Sequence, residues 1–168
     1  MKIELKPFNK INPNELAYHA NDINVQKYLR NFPYPYTLNH ALHFIAHSLK
    51  NQNIEYAIVV DDICVGCISA QMKKDIYMYN CEIGYWLSSH YWNQGIMSQV
   101  VRNFCHYLFT NYPIHKICAE IFVENIGSYH VLTKNGFVQE GHLIKHVYKD
   151  NTFHDIILLG LRSDDFEY

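Results

Sequence analysis

The sequence predicts an α/β (α+β) fold, one domain over residues 1–168 with about six to seven strands and about four helices. Three observations carry this. Several stretches alternate apolar and polar residues with period two, as half-buried strands do. Others place apolar residues at three- and four-residue spacing, as amphipathic helices do. Short polar turns and caps separate them, giving the order β-α-α-β-β-β-α-β-α-β-β.

Each element has a local reason. Residues Lys2 to Pro7 alternate and read as a first strand. Asn12-Pro13 reads as an N-cap followed by proline at the first helical position, opening a helical region that breaks near Asn21-Asp22 and runs to about Leu29. Asn31 to Thr37 holds two prolines among aromatics and reads as a stiff, extended loop. Thr37 caps the next helix, whose expected apolar stripe is Leu38, Leu42, Ile45 and Leu49. Tyr56 to Val60 and Ile63 to Ala70 flank Asp61-Asp62, a hairpin turn. Tyr77 to Leu87 is the next strand. Met97 to Phe109 has helical spacing, and Pro113 stops it. Lys116 to Val123 is a strand, and Asn125 to Asn135 is a short helix with Gly136 at its left-handed C-terminal cap. Leu143 to Tyr148 and Phe153 to Leu161 close the chain as a hairpin over Lys149-Asp150-Asn151.

The totals exclude several classes. Of the 168 residues, 49% are hydrophobic and 18% charged, which argues against disorder. A formal net charge of -2, with no basic run, argues against nucleic-acid binding. No apolar stretch of about 18 residues exists, so no membrane span is expected. Met1-Lys2-Ile3-Glu4 lacks a secretory h-region, and a cytoplasmic protein is expected. Five cysteines, an odd number, argue against a disulfide framework. Cys64-Val65-Gly66-Cys67 matches C-x-x-C, but positions i and i+3 of a regular strand face opposite sides, so both read as small apolar fillers. The 11 histidines show no metal-ligand spacing, and no metal site is expected.

The stretch Glu82 to Ser98 is the most informative. A strand carrying a carboxylate leads through a polar turn with Gly95 into a long amphipathic helix. Backbone N–H groups at such a helix start suit a pyrophosphate. The pattern points to an enzyme using a phosphate-bearing cofactor.

Four pieces together resemble the GNAT N-acetyltransferases, and within them the RimJ/RimL-like branch that acetylates N-termini of ribosomal proteins. They are Pro33-Tyr34-Pro35-Tyr36-Thr37, Glu82-Ile83-Gly84-Tyr85-Trp86-Leu87, and Tyr91-Trp92-Asn93-Gln94-Gly95-Ile96-Met97-Ser98. The fourth runs Asn125-x-x-Ser128, Leu132-x-Lys134-x-Gly136-Phe137, Glu140-Gly141. The resemblance implies the GNAT acyl-CoA N-acyltransferase fold, with a mixed, mostly antiparallel central sheet, and acetyl-CoA as cosubstrate. The chain departs from the pattern at Asn93, where the branch has glycine, and at Met97, where the family favours Gly or Ala. Gln99 replaces a common Glu, and Leu132 stands where many members carry a tyrosine acid, so that role is not carried over.

The implied reaction is attack of an amine on a thioester. Backbone amides of Gln94, Gly95, Ile96, Met97 and Ser98, in the loop that Asn93 shapes, are the expected pyrophosphate ligands. Trp86 and Leu87 are expected to pair with the pantetheine arm as an added strand would, with an N–H near Tyr85 or Trp86 facing the thioester oxygen. Glu82, inside an apolar strand, is the first choice of base; Glu120 is the second, and His146 a third. A structural ion pair is the competing reading of Glu82. Ser128 is the acid that the resemblance implies, with helix capping as its rival role. Asn125 holds the cofactor amides or caps the helix. Phe32, Tyr34 and Tyr36, stiffened by the prolines, are expected to wall the acceptor site.

The reading is therefore an acetyl-CoA-dependent N-acetyltransferase acting directly in a ternary complex on a primary amine, first a protein N-terminus. A small-molecule acceptor (polyamine, antibiotic or amino sugar) is the alternative, and a non-catalytic CoA-binding protein the rival. No nucleic acid or membrane is expected as partner. A homodimer through a strand edge or the terminal hairpin stays open.

Overall fold

A computed structural model describes residues 1–30, 32–50 and 54–168, so Asn31 of the Pro-rich loop lies outside the described residues. The strands are β1 (Ile3–Lys6), β2 (Ile54–Val60), β3 (Ile63–Met72), β4 (Asn80–Leu87), β5 (Lys116–Phe122), β6 (Val138–Lys149) and β7 (Thr152–Arg162). The helices are α1 (Pro13–Ala20), α2 (Ile23–Gln26), α3 (Leu38–Ser48), α4 (Ile96–Asn111) and α5 (Ile126–Lys134). The strands form one seven-stranded sheet in the order β1-β2-β3-β4-β5-β7-β6. The recorded ladders are antiparallel except β4 with β5, which is parallel. Among the described residues no helix is long and apolar enough to cross a membrane.

The chain divides into two compact units. One comprises residues 1–70 and 84–96, the other residues 71–83 and 97–168. In the first, α1 begins where Asn12 accepts the Asn14 N–H and Pro13 starts the helix. Thr37 caps α3 through His40, as its side chain predicts. The face that α3 buries differs from the expected stripe. Ala41 is fully buried and Phe44 and Ile45 pack on the core, whereas Leu38, Leu42 and Leu49 stay exposed. Rotation by one residue, about 100° on a helix, separates the two faces.

The core of this unit gathers Phe8, Leu16, Ala20, Tyr36, Val59, Cys64 and Cys67. The two cysteines share it, contrary to strict alternation. Val59 pairs with Cys64 and Ile58 with Gly66, so Val65 is an extra residue in β3. This bulge turns Cys64 and Cys67 to one side. The turn between β2 and β3 is as expected, with Asp61 and Asp62 both at positive φ.

In the second unit, α4 buries Val100, Val101, Phe104, Cys105 and Leu108 at helical spacing. Ile117, Ala119 and Ile121 of β5 and Ile156, Leu159 and Leu161 of β7 are among the buried strand positions. Asn125 caps α5 by accepting the Ser128 N–H at 3.1 Å, and Gly136 follows the helix at φ 86. Two boundaries shift from expectation. Residues 75–77 form a 3-10 turn, so β4 starts at Asn80 rather than Tyr77. β6 starts at Val138 rather than Leu143, because Val138, Gln139 and Gly141 already pair with β7.

Candidate active site

In the first unit the region is built on the end of β4. The β4–β5 ladder covers Asn80–Glu82, and Tyr85, Trp86 and Leu87 lie beyond it. The Ser88 N–H still donates to Val65 O at 2.9 Å, which holds the end of β4 against β3. The loop then turns under several constraints. The Trp92 indole N–H donates to Leu87 O at 2.7 Å, and the Gln94 amide donates to His90 O at 3.1 Å. Asn93 at φ 58 and Gly95 at φ 77 adopt left-handed backbone, a conformation that asparagine tolerates and glycine adopts freely. Asn93, Gln94 and Gly95 are exposed, while Ile96 and Met97 are buried.

Two side chains that the sequence did not single out tie this loop to the corner between α1 and α2. The Asp22 carboxylate accepts the Ser89 N–H at 2.8 Å through one oxygen and the Asn24 N–H at 2.9 Å through the other. His19 Nδ1 lies 3.0 Å from Oγ of the fully buried Ser88. Burial acts to raise the Asp22 carboxyl, but the Ser89 and Asn24 bonds outweigh it and hold it below its ordinary value. Burial first, and neighbouring His90 second, pull His19 below the ordinary imidazole value. The Asn21-Asp22 helix break was the one trace of this corner in the sequence.

The same unit assembles an aromatic group. Phe32 stacks on Tyr36 at 4.6 Å between centroids and meets Trp86 edge-on at 6.2 Å. Tyr36 is buried, and its N–H donates to Asn21 Oδ1 at 2.9 Å. Burial pushes its phenol up to about 12. Tyr34 stands apart as a 65% exposed side chain.

In the second unit, Glu82 forms an ion pair with Lys73 at 2.6 Å. Its strand neighbour across the parallel ladder is Cys118. Glu120 is exposed on β5 and sits opposite Leu158. Asn125 and Ser128 come together as cap and third helical residue: the Asn125 side chain caps α5, and Ser128 contributes its backbone N–H to that bond. Leu132 is fully buried, which gives an apolar reason for its place on α5. The Asn135 amide donates to both the carbonyl and the hydroxyl of Ser98, at 3.2 Å each. His146 follows a β6 irregularity that includes Lys145 at φ 50, so it does not share a regular strand face with His142. His142 instead pairs with Asp155 at 2.7 Å. Among the described residues no three His, Cys, Asp or Glu side chains gather as a metal site.

A family model described as "Acetyltransferase (GNAT) domain" matches residues 2–138. The probable N-acetyltransferase YjcK of Bacillus subtilis (strain 168) is 32% identical over 120 residues, 70% of this chain and 66% of that protein. The ribosomal-protein-serine acetyltransferase of Escherichia coli (strain K12) is 28% identical over 61% of this chain and 57% of its own length. The chain thus matches less than two thirds of the length of either relative. A solved structure described as RimL, a ribosomal L7/L12 alpha-N-protein acetyltransferase in complex with coenzyme A, superposes with a TM-score of 0.86 at 21% identity. That match covers 98% of this chain and 96% of the other, and shows that the fold is shared.

Proposed function

Because the chain belongs to the GNAT acetyltransferase family, we propose that it transfers acetyl from acetyl-CoA to a primary amine by direct attack in a ternary complex. The observation that carries the reading is the constrained loop from Ser88 to Gly95 at the head of α4, with its two left-handed residues, in a chain of this family. The first-turn amides from Gln94 to Ser98 bind the pyrophosphate, because helix-start N–H groups lack partners within the helix. Tyr85, Trp86 and Leu87, past the end of the β4–β5 ladder, pair with the pantetheine amides. The Leu87 carbonyl already accepts from Trp92, so it takes less part than its neighbours. Asn125, whose side-chain oxygen caps α5, keeps its amide NH2 as a donor for the cofactor amides.

Glu82 takes the proton of the attacking amine, through a water where the distance requires one, and Lys73 fixes the carboxylate in place. The amine nitrogen bonds to the thioester carbon and the carbon–sulfur bond breaks. The departing thiolate is protonated through the Ser128 hydroxyl, which regains its proton through water from the one Glu82 took from nitrogen, so the proton lost by the amine ends on the CoA thiol. Phe32, Tyr34 and Tyr36 wall the acceptor. Direct transfer is favoured by the thiols of this chain. Cys64, Cys67, Cys81 and Cys105 are buried. Burial pushes Cys64 and Cys81 up to about 12, far from a reactive thiolate.

A protein N-terminal amine is the first acceptor considered, in keeping with the E. coli relative's name. A small amine is the second reading, favoured by a cavity in the first unit that suits a small ligand. A thermal-shift titration tests the cofactor assignment. Acetyl-CoA at about 100 times its Kd should stabilise the fold by roughly 2.7 kcal/mol, and an unmoved melting temperature at millimolar acetyl-CoA would refute it.

A further inference from the structure

The first unit contains a cavity of about 480 Å³ where the α1–α2 corner, Tyr36 and the loop after β4 meet. Its size is that of a small-molecule site and too small for a folded partner. Its walls are chemically one-sided. Among the described residues, Asp22 is the one carboxylate that lines it, and no Lys or Arg does. The Asp22 carboxylate accepts the Asn24 and Ser89 N–H groups and the Ser89 hydroxyl, three donors for about four lone-pair sites, which leaves acceptor capacity for a ligand. These bonds also keep the carboxylate charged. Tyr18 and Tyr36 add ring surface, and the high phenol of Tyr36 stays neutral. A fixed carboxylate among aromatic rings attracts a cation both by charge and by the ring faces.

We propose that this cavity recognises a primary alkylammonium on a flexible stem, carried by the acceptor. The inference rests on the reading of the chain as an amine acetyltransferase and adds a requirement: a good acceptor brings a positive charge for Asp22. A diamine and a lysine-bearing peptide both meet it. His19 and His90 are the lining groups able to add positive charge. The groups around His19 are Glu15 and Tyr18 on its own helix, Asp22 at the corner, and His90 and Tyr91 on the loop. Protonation of His19, which burial delays to pH below the usual imidazole range, opposes the bound cation.

Ile23 offers a clean test. It lines the cavity, opens α2 and is 57% exposed, so a charge placed there leaves the core intact. Calorimetry would titrate wild type, Ile23→Glu and Ile23→Lys with 1,4-diaminobutane, with the tripeptide Gly-Lys-Gly and with uncharged butan-1-ol. Wild type should bind a cationic probe and not the alcohol. Ile23→Glu should tighten the bound cation several-fold, and Ile23→Lys should weaken it roughly tenfold, both effects shrinking with added salt. Whichever cation binds more tightly identifies the source. Failure of both cations to bind wild type, or a shift of the same sign in both variants, overturns the proposal. Thiol release from acetyl-CoA, measured alongside, separates the two readings. Turnover without cation binding sinks this inference alone; cation binding without turnover sinks the acetyltransferase reading and the acceptor role with it, and leaves a cation site only.

Discussion

Lys73 lies 2.6 Å from Glu82, and that contact joins the two readings the sequence left open for this residue, ion pair and base. The acetyltransferase account needs the carboxylate to do both. Glu82→Gln should therefore lower kcat about 100-fold while acetyl-CoA affinity holds, the usual size of a lost general base. Glu120→Gln should leave kcat within about twofold. If the two variants exchange these outcomes in steady-state assays, the base has been misassigned. His19 supports a second prediction. The folded chain holds its imidazole below the ordinary value, so the unfolded chain takes up the proton first as pH falls. Stability from neutral His19 is full above the ordinary imidazole range and declines through it, until the folded form protonates as well. His19→Asn should flatten the fall in melting temperature between about pH 7.5 and 5.5. An identical slope in both proteins would contradict this. Neither His19 nor Asp22 was legible in the sequence. Their partners Ser88 and Ser89 lie 69 and 67 residues away, and no local period encodes such a pair.

At the scale of elements, local rules worked where the cause is local. Asn12, Thr37 and Asn125 each cap the helix they were expected to cap, because the capping bond closes within three residues. They failed where a tertiary partner decides. The leucines of α3 have good helical spacing, yet Ala41 faces the core because close packing favours the small residue. The β3 bulge was equally hidden, since Cys64-Val65-Gly66-Cys67 alternates like any strand until β2 fixes the register. Gly66 inside that bulge makes a sharp prediction. A Cβ there would press on the Trp86 carbonyl and the Leu87 backbone of β4. Backbone cannot yield as a side-chain tip can. Gly66→Ala should cost roughly 3 kcal/mol in urea unfolding, at the upper end for overpacking. A loss under about 0.5 kcal/mol would show that β3 and β4 are not so closely apposed.

For the whole molecule, the order of strands and helices was readable, because alternation, helical spacing and turn residues agreed along most of the chain. The differences are at boundaries: the helical stretch after Asn21-Asp22 ends at Gln26 rather than near Leu29, β4 starts later and β6 earlier. The seven-stranded sheet matches the expected range, and the family match covers residues 2–138. The loop before α4 was legible because its geometry is local: one strand end, one glycine and one helix start in sequence. The cation cavity was not, because its walls come from three separate stretches of chain. The most direct measurement is the release of CoA thiol from acetyl-CoA by purified protein across a panel of N-terminal peptides and small amines. The account predicts release that depends on the amine, with one acetylated amine formed per thiol. Tight coenzyme binding with no amine-dependent release across the panel would contradict it, and would leave a protein that keeps the fold without the transfer.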